Sequence, residues 1–590
     1  MKINQKNLIP VLLAVWVVAA VTSVKAQLIG SLQQNASIPF HEGVRLGKLP
    51  NGMEYYLLKN AKPEKRCEIR LALKAGSIVE DDDQQGIAHF VEHMCFNGSK
   101  NFKKNELVNY LEKTGTKFGA DLNAFTSFDE TVYMLEVRTD DKEIFDKGLL
   151  VMEDWAGGVS FENEEIDKER GVVESEWRTR LSPSQRMQNR YFPVIYAGSQ
   201  YANRLPIGQM DIIRKAPYDN FKRFYRDWYR PDLMALVIVG DFDLDAVENH
   251  IKSRFSALKN PSNPRPRKEF EVPKHKNTLV SICSDKEASS TTVQIMYNHD
   301  YQKPVNIKDY RQSFIFDLYN QMINARLGEI SQRPEPPFSF AFSSYGSDVG
   351  STAKYTSFAS TRDGGAMTAL KTVLEENERV KKFGFTQTEL ERMKKQIEKS
   401  VESGYKEKDK TLSRNLVMGI VYHFLDQAPF LSPTQELDVV KSILPTITIE
   451  DVNACARRFI TDENRIVVIT SPEKPEIKLP TEAEVLNLVN TAKELRLEPY
   501  VDKVSTVPLM QTMPVKGSVV KEERNSSLGT ITWQLSNGAT VTLKPTTFKN
   551  DEILFSATSQ GGSYLYSEAD NNNASYAAQV ITTSGIGTFD

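Results

Sequence analysis

The sequence has few cysteines, few histidines, no excess of one charge and no long apolar run after its first 26 residues. Four cysteines in 590 residues are too few and too scattered for a disulfide scaffold. The formal net charge of −3 gives no reason to expect a nucleic acid as a partner. With 40% hydrophobic and 26% charged residues, the composition excludes wholesale disorder and a polytopic membrane protein.

The first 26 residues have the pattern of a secretory signal peptide. Lys2 and Lys6 precede an apolar run from Leu8 to Val24, and small residues lead up to Ala26. This order predicts cleavage after Ala26, before an N-terminal lead at 27–45, with no stable membrane anchor left after cleavage. Because the apolar run is long for a signal peptide, an uncleaved membrane anchor is the alternative.

Two segments have the composition of linkers and divide the rest of the chain. Residues 258–275 contain four prolines and many charges, and residues 472–529 are polar and interrupted by prolines. They separate two blocks of similar length, 46–257 and 276–471, that mix short β-rich runs with amphipathic helical patterns. Two clear helical patterns are at 103–114 and 387–403.

Short motifs recur at one common spacing of 486 residues. Leu49–Gly52 recurs as Leu535–Gly538, and Ala75–Ser77 is echoed by Gly561–Ser563. Because both matches share one spacing, they favour a duplicated unit over chance. The third copy would then begin near residue 530.

A second echo relates the two large blocks. Phe161–Ile166 resembles Phe385–Leu390, where Gly384 would end one helix and Thr386 and Glu389 would form a capping box at the start of the next. The sequence therefore predicts an α+β fold of repeated domains, with two full copies and the start of a third at 530–590.

The run from Ile87 to Met94 predicts a buried helix that carries His89, Glu92 and His93. Histidines at i and i+4 lie on one helix face, where both can reach one zinc ion at about 2.0–2.1 Å. Glu92 lies beside that face and could act as the general base. In a chain of this composition the pattern is expected roughly 0.01 times by chance. Two structural histidines on a core helix are the alternative.

A third zinc ligand is not local, and the acidic helical segment Glu162–Arg180 is the place to look for one. Glu169 and Glu176 are seven residues apart and so share one helix face, whereas Glu174 points elsewhere. In so charged a run, a solvated face is the alternative for any single glutamate. The pattern alone does not choose the ligand.

Together these motifs resemble the pitrilysin/insulysin family of zinc peptidases, the inverzincins. The resemblance rests on H-F-V-E-H followed by the E-R-G-V-V-x-x-E helix, covers roughly residues 40–475 and resumes at 530–590. Residues 202–208 are similar to the exported bacterial branch, the large PQQ-synthesis-like zinc proteases. Other segments resemble family elements: 123–127, 131–133, 228–231 and 239–241.

The resemblance implies one Zn²⁺ per chain, bound by His89, His93 and Glu176. Glu92 would be the general base, and Glu169 would orient a ligand histidine from outside the coordination sphere. The family fold implies that each domain is a largely antiparallel sheet packed by helices. Such domains make up one half of the molecule, and two halves close as a clamshell around a peptide.

The resemblance also implies a substrate strand. Asn123 and Ala124 would hydrogen-bond to a peptide or unfolded polypeptide that adds to the sheet as a β-strand. Plain sheet structure is the alternative for this segment.

The repeats predict that one domain alone is catalytic. A shift of 486 residues puts Ser575 and Gln579 at the two histidine positions, and alignment of the acidic helices puts Met393 and Ser400 at the glutamate positions. We therefore expect an active domain at 46–257, linked to an inactive homologous domain.

These features predict a zinc-dependent metalloendopeptidase of the bacterial periplasm. The resemblance implies that the chain stops early in its second half, which in the family supplies further substrate-orienting groups. Two alternatives follow: a non-catalytic scaffold, or one half of a two-chain peptidase that needs a complementary half-chain or a second copy.

Overall fold

The computed structural model describes residues 35–104, 106, 113, 117, 119–503 and 507–585. The predicted signal peptide lies outside these residues, as does most of the predicted helix at 103–114. Among the helices that are described, none has the length and apolar character that crossing a membrane requires.

The chain divides into two compact units. The first contains the chain up to Val401 together with Thr411–Tyr500, and the second contains Glu402–Lys410 with the chain from Val501 onward. The first unit holds two sheets, which belong to the two large sequence blocks. The predicted domain boundaries stay predictions.

The first sheet has six strands, in the order β1-β2-β6-β3-β5-β4. All neighbours pair antiparallel except β2 and β6, and β4 lies at one edge. The strands are β1 (Val44–Lys48), β2 (Glu54–Lys59), β3 (Arg66–Leu73), β4 (Leu122–Thr126), β5 (Thr131–Arg138) and β6 (Met234–Gly240).

The second sheet has five strands, in the order β7-β11-β8-β10-β9, with β7 and β11 as its parallel pair. Without β1, the first sheet has the order β2-β6-β3-β5-β4, and the second has β7-β11-β8-β10-β9. If the five strands of each sheet are numbered along the chain, both orders are 1-5-2-4-3, and strands 1 and 5 are the parallel pair. This shared order confirms the repeated α+β fold. The strands are β7 (Leu279–Asp285), β8 (Thr291–Asp300), β9 (Phe340–Ser347), β10 (Thr352–Thr361) and β11 (Arg465–Pro472).

Helices cover these sheets, and the two helices singled out in the metal-site analysis lie where the sequence patterns predict them. The described helices of the first block are α1 (Ile87–Met94), α2 (Lys142–Gly157), α3 (Asn163–Arg180), α4 (Pro183–Ile195), α5 (Met210–Lys215), α6 (Tyr218–Trp228) and α7 (Leu244–Phe255). Those that follow are α8 (Ile307–Ser331), α9 (Ala366–Phe383), α10 (Gln387–Lys406), α11 (Ser413–Asp426), α12 (Pro433–Ile443), α13 (Ile449–Phe459), α14 (Glu482–Thr491) and α15 (Asn571–Thr583).

The capping box predicted at the start of α10 is present. The Glu389 N–H donates to Thr386 Oγ1 over 3.3 Å, and the Thr386 N–H donates to Glu389 Oε2 over 2.7 Å. Gly384, at φ +75°, ends the preceding helix α9. The two echoed segments start helices at equivalent positions, Asn163 in α3 and Gln387 in α10, but the capping box is not shared, because the Glu162 side chain makes no cap hydrogen bond.

One helix of each repeat packs against the sheet of the other repeat. Helix α4, from the first repeat, packs against β7 and β11 of the second sheet. In return, α11 packs Val417, Ile420, Val421 and Phe424 onto the face of the first sheet formed by residues such as Val237 and Val239. This exchange joins the two repeats through apolar surface that each would otherwise expose.

The exchange predicts a large stability loss on truncation of Phe424, which is 5% exposed. We expect Phe424→Ala to lower the free energy of unfolding by about 3–5 kcal/mol, because it leaves a cavity between helix and sheet. Tyr422→Ala, on the same helix but 46% exposed, is the matched control and should change it by less than about 0.5 kcal/mol. Denaturant unfolding monitored by circular dichroism measures both, and equal effects would contradict the packing described.

The second unit repeats the start of the first sheet. Its strands β12 (Val519–Asn525), β13 (Thr530–Leu535) and β14 (Thr540–Leu543) pair in that order. The turn between β13 and β14 matches the β1–β2 turn: Gly538 N–H donates to the Leu535 carbonyl as Gly52 N–H donates to that of Leu49, both over 2.9 Å. Helix α15 contains the positions that correspond to α1.

Candidate metal centre

Helix α1 presents His89, Glu92 and His93 from a buried position between α3 and α6. Gly86, at φ +99°, precedes it in the left-handed conformation that favours glycine. A Cβ there would lie 2.9 Å from Gly208 Cα, so the close approach of the two backbones also requires glycine. The helix therefore has a fixed starting point.

A buried carboxylate anchors the start of this helix. Glu80 Oε1 accepts hydrogen bonds from the N–H groups of Gly86, over 3.0 Å, and Ala88, over 2.8 Å. It thereby satisfies donors that a helix N-terminus leaves unpaired. Burial raises the pKa of Glu80 well above its ordinary value, while these N–H groups and Arg204 oppose the rise.

Three side chains bring their ligand atoms together at the face of this helix that packs against α3. His89 Nε2 lies 3.6 Å and His93 Nε2 lies 3.2 Å from the same oxygen, Glu176 Oε2 of α3. In the described part of the chain, these residues form the one group of three histidine, cysteine or acidic side chains that could hold a metal ion. The structure thus brings together the three ligands that the resemblance implies.

The electrostatics of this group suit a cation. Burial, and then the neighbouring His93, lower the pKa of His89, so its imidazole stays neutral. The close His93 imidazole lowers the pKa of Glu176, which stays ionised. Burial alone would lower the pKa of His93, but Glu169 and Glu176 outweigh it and raise that pKa to about 9. The His93 imidazole therefore carries a positive charge between the two carboxylates, at the position where a metal cation would replace its proton.

Glu169 contacts the other side of the His93 ring. Its Oε1 lies 2.7 Å from His93 Nδ1, and its Oε2 accepts a 2.6 Å hydrogen bond from Asn97 Nδ2. An ionised carboxylate can only accept, so Nδ1 carries the proton of this bond and Nε2 is left to face Glu176. Glu169 therefore lies where it can orient His93 without reaching the group's centre.

Glu92 lies next to this group and is 7% exposed. Its Oε2 accepts a 2.6 Å hydrogen bond from the hydroxyl of Thr126, at the end of β4. Burial raises the pKa of Glu92, and the Thr126 hydrogen bond opposes the rise. A carboxylate with a raised pKa is closer to the proton affinity that a general base needs near neutral pH.

Asn123 and Ala124 lie on β4, at the edge of the first sheet. The Ala124 N–H donates to Asn123 Oδ1 over 2.9 Å, and Asn123 Nδ2 donates to the Gly119 carbonyl over 3.3 Å. β4 pairs with β5 on one side, and no strand among the described residues pairs with its other side, where a further strand could add. A peptide that docks there would compete with the Asn123 side chain for the Ala124 N–H.

The donor set fits zinc by its chemistry. Two imidazoles and one carboxylate are a common ligand set for catalytic zinc, and His93 would release its proton on binding the metal. Glu176 Oε2 is buried and has no hydrogen-bond partner among the described residues, although it faces two imidazole nitrogens. An ion at this point would satisfy an oxygen that otherwise pays the cost of burial.

Four residues of this centre escaped the sequence analysis, because each acts through a contact distant in sequence or a side chain without a motif. Glu80 precedes the helix by several residues, and an acidic residue before a helix start was the available signal. Asn97 and Arg180, which forms an ion pair with Glu176 Oε1, each lie one turn beyond a predicted ligand. Thr126 lies in the segment 123–127 that resembles a family element, but nothing in the sequence linked its hydroxyl to Glu92.

The position of Glu169 carries a prediction. Glu169→Gln keeps the size of the side chain but replaces the ionised oxygen that faces His93 Nδ1. We expect zinc affinity to fall by about 10–100-fold, as is typical when a metal-ligating histidine loses its outer carboxylate. Competition with a fluorescent zinc chelator measures the change, and an unaltered affinity would show that Glu169 does not support His93.

Comparison with protein families matches this region and the second repeat. Residues 55–198 match the model of insulinase, peptidase family M16, and residues 215–397 match the model of the peptidase M16 inactive domain. The first match contains α1 and α3, and the second begins at α6.

Individual relatives extend the similarity over most of the chain. A "Zinc protease PQQL-like" of Arabidopsis thaliana is 30% identical over 92% of this chain and 54% of its own length. A "Probable zinc protease PqqL" of Haemophilus influenzae is 30% identical over 94% of this chain and 60% of its own length. The chain thus spans a little more than half the length of these curated relatives.

A solved structure has the same fold. The first half of the periplasmic protease PqqL from Escherichia coli superposes with a TM-score of 0.73 at 25% identity, and the match covers 79% of this chain and 100% of that one. The order of strands, the two matched family models and these relatives agree. The chain therefore belongs to the insulinase family of peptidases, family M16.

Proposed function

We propose that this chain is the zinc-binding part of a metalloendopeptidase that cleaves peptides or unfolded polypeptide segments. The observation that carries the proposal is the convergence of His89 Nε2 and His93 Nε2 on Glu176 Oε2. The similarity to proteins named zinc proteases supports the choice of metal and of reaction.

In this proposal His89, His93 and Glu176 hold one zinc ion. Zinc bound there would supply a Lewis acid that activates water and polarises the scissile carbonyl. Glu92 accepts the proton of the attacking water and then donates it to the leaving amine. Its burial beside the ligands keeps it close to that proton and away from bulk water.

The substrate lies along the open edge of β4. An extended peptide adds there as a further strand and hydrogen-bonds to the backbone of Ala124 and the side chain of Asn123. This mode favours extended, unfolded segments, because folded proteins keep most of their strands paired and shorten, bend or cover the edges that remain. The same edge carries Thr126, which contacts Glu92.

The proposed location is the bacterial periplasm. Two observations support it: the signal-peptide pattern of residues 1–26 and the similarity to the PqqL of Escherichia coli, whose structure is described as that of a periplasmic protease. Fractionation of the expressing cells, with N-terminal sequencing of the exported product, tests it; we expect the product to begin at Gln27.

A quenched fluorescent peptide without stable structure tests the proposed reaction. We expect the purified chain to contain one equivalent of zinc and to cleave the peptide, to lose both properties on chelation and to regain them when zinc returns. A chain that takes up no zinc would refute the proposal.

The second candidate is one half of a two-chain peptidase. The second unit favours it, because Ile553, Leu554 and Phe555 are each at least 87% exposed and form an apolar surface that a partner could cover. In that case zinc binds to the purified chain, and hydrolysis appears on addition of a complementary half-chain.

A further inference from the structure

We propose that Thr126 is a positioning residue that fixes the carboxylate of Glu92 from the edge strand on which the substrate would lie. The inference rests on the proposed function, in which Glu92 is the general base. The residue has no motif of its own, and its role follows from where the fold brings β4 against α1.

The contact is short and polar in a largely buried place. Thr126 Oγ1 donates to Glu92 Oε2 over 2.6 Å, in the range of strong hydrogen bonds to carboxylates. Among the described residues, Thr126 is the one hydrogen-bond donor to the Glu92 carboxylate. A glutamate has three side-chain torsions, and one such bond selects the rotamer that keeps its head group at the metal centre.

The backbone around Thr126 is held on both sides. Thr126 pairs with Thr131 in the β4–β5 ladder, and the turn that follows is clamped by the N–H groups of Ser77 and Ile78, which donate to the carbonyls of Ser127 and Phe128 over 3.1 and 2.8 Å. The hairpin is therefore a fixed support and not a mobile loop.

The clamp depends on a close backbone approach at Gly76. A Cβ on this residue would lie 2.3 Å from the Ser127 carbonyl oxygen, so glycine is required for the two segments to meet. The same segment continues to Glu80, which anchors the start of α1. The hairpin that carries Thr126 and the helix that carries Glu92 thus share one anchor.

This geometry gives the two oxygens of the Glu92 carboxylate different roles. Oε2 is engaged by Thr126, which leaves Oε1 to take the proton of the attacking water. Residues two apart on a strand face the same side, so Thr126 shares its side of β4 with Ala124. A peptide aligned on this edge would therefore be aligned with the strand that holds the base.

Three substitutions test the inference. Thr126→Val removes the hydroxyl at constant shape, and Thr126→Ser retains it. Thr361→Val removes a buried hydroxyl of the second sheet, which donates to the Pro337 carbonyl over 2.8 Å. We expect Thr126→Val to lower kcat by about 10–100-fold with KM and zinc content unchanged, because the base is misplaced and the metal is not. Thr126→Ser should keep kcat within about threefold.

The control separates positioning from stability. Thr361→Val should lower the unfolding temperature, because it leaves the Pro337 carbonyl without this donor, but it should keep kcat. If Thr126→Val does not fold, Thr126→Ala provides the same test and should show the same loss of kcat. A wild-type kcat in the valine or alanine variant, or an equal loss in the serine variant, would overturn the inference.

A crystal structure of Thr126→Val gives a readout that does not depend on activity. We expect the Glu92 carboxylate to shift or to occupy two conformers, with His89 and His93 unmoved. A carboxylate that stays in place would overturn the role of Thr126 alone. A wild type that binds no zinc, or that stays inactive even with a complementary half-chain, would instead count against the proposed function, so the two failures are distinguishable.

Discussion

The Glu92→Gln variant is expected to bind zinc as the wild type does and to lose peptide hydrolysis by about 10²–10⁴-fold. Glutamine keeps the shape of the side chain and can still accept the hydrogen bond from Thr126, but it cannot take a proton from water at neutral pH. Zinc content by mass spectrometry and cleavage of a quenched peptide measure the two properties side by side.

The pairing of the two readouts makes this result informative. A loss of zinc together with activity would mean that Glu92 supports the metal centre and is not its base. Retained hydrolysis would remove Glu92 from the reaction altogether. The wild type could bind zinc but be inactive alone and active with a complementary half-chain. In that case, the wild type and Glu92→Gln are compared in the presence of that half-chain.

Loss of the third ligand should have the other large effect. We expect Glu176→Gln to lower zinc affinity by more than the roughly 10–100-fold that loss of an outer carboxylate costs, since Glu176 Oε2 faces both imidazoles directly. Hydrolysis should fall in proportion to bound zinc and recover in part at high zinc concentration.

Glu174→Gln is the matched control for this variant. Glu174 lies on the same helix, and its side chain is 26% exposed, against 23% for Glu176. It does not face the histidines but forms a 2.8 Å ion pair with Arg214. Its substitution should leave zinc affinity and hydrolysis unchanged. Equal zinc affinities in the two variants would contradict the assignment of Glu176 as a ligand.

Local periodicity explains what could be predicted from the sequence. His89 and His93, four residues apart on a helix, had to share a face, and the helix begins and ends where the apolar pattern places it. Glu169 and Glu176 share a face of α3 for the same reason. The choice of Glu176 as third ligand came from the resemblance and not from spacing, because several glutamates of that helix were available.

Contacts between distant segments explain the rest. The hydrogen bonds of Glu80 to the start of α1 and of Thr126 to Glu92 depend on how the turn after β4 meets the segment at Gly76. The exchange of α4 and α11 between the two sheets likewise leaves no periodic trace, since an amphipathic helix does not specify which sheet it covers. Such features come from tertiary packing alone.

The repeated sheet also gives a reason for the prediction that the metal chemistry is confined to one copy. The strand order and the turns at Gly52 and Gly538 recur because they serve folding, and they tolerate any side chain that suits the core. The proposed metal ligands serve no such purpose, and α15 has Ser575 and Gln579 at the two histidine positions.

Anomalous diffraction at the zinc edge, from crystals of the wild-type chain grown with equimolar zinc, tests the central claim most directly. We predict one strong peak at about 2.0–2.1 Å from the Nε2 atoms of His89 and His93 and within bonding distance of a Glu176 carboxylate oxygen. A crystal with no peak there, or with zinc bound at other residues, would contradict the account.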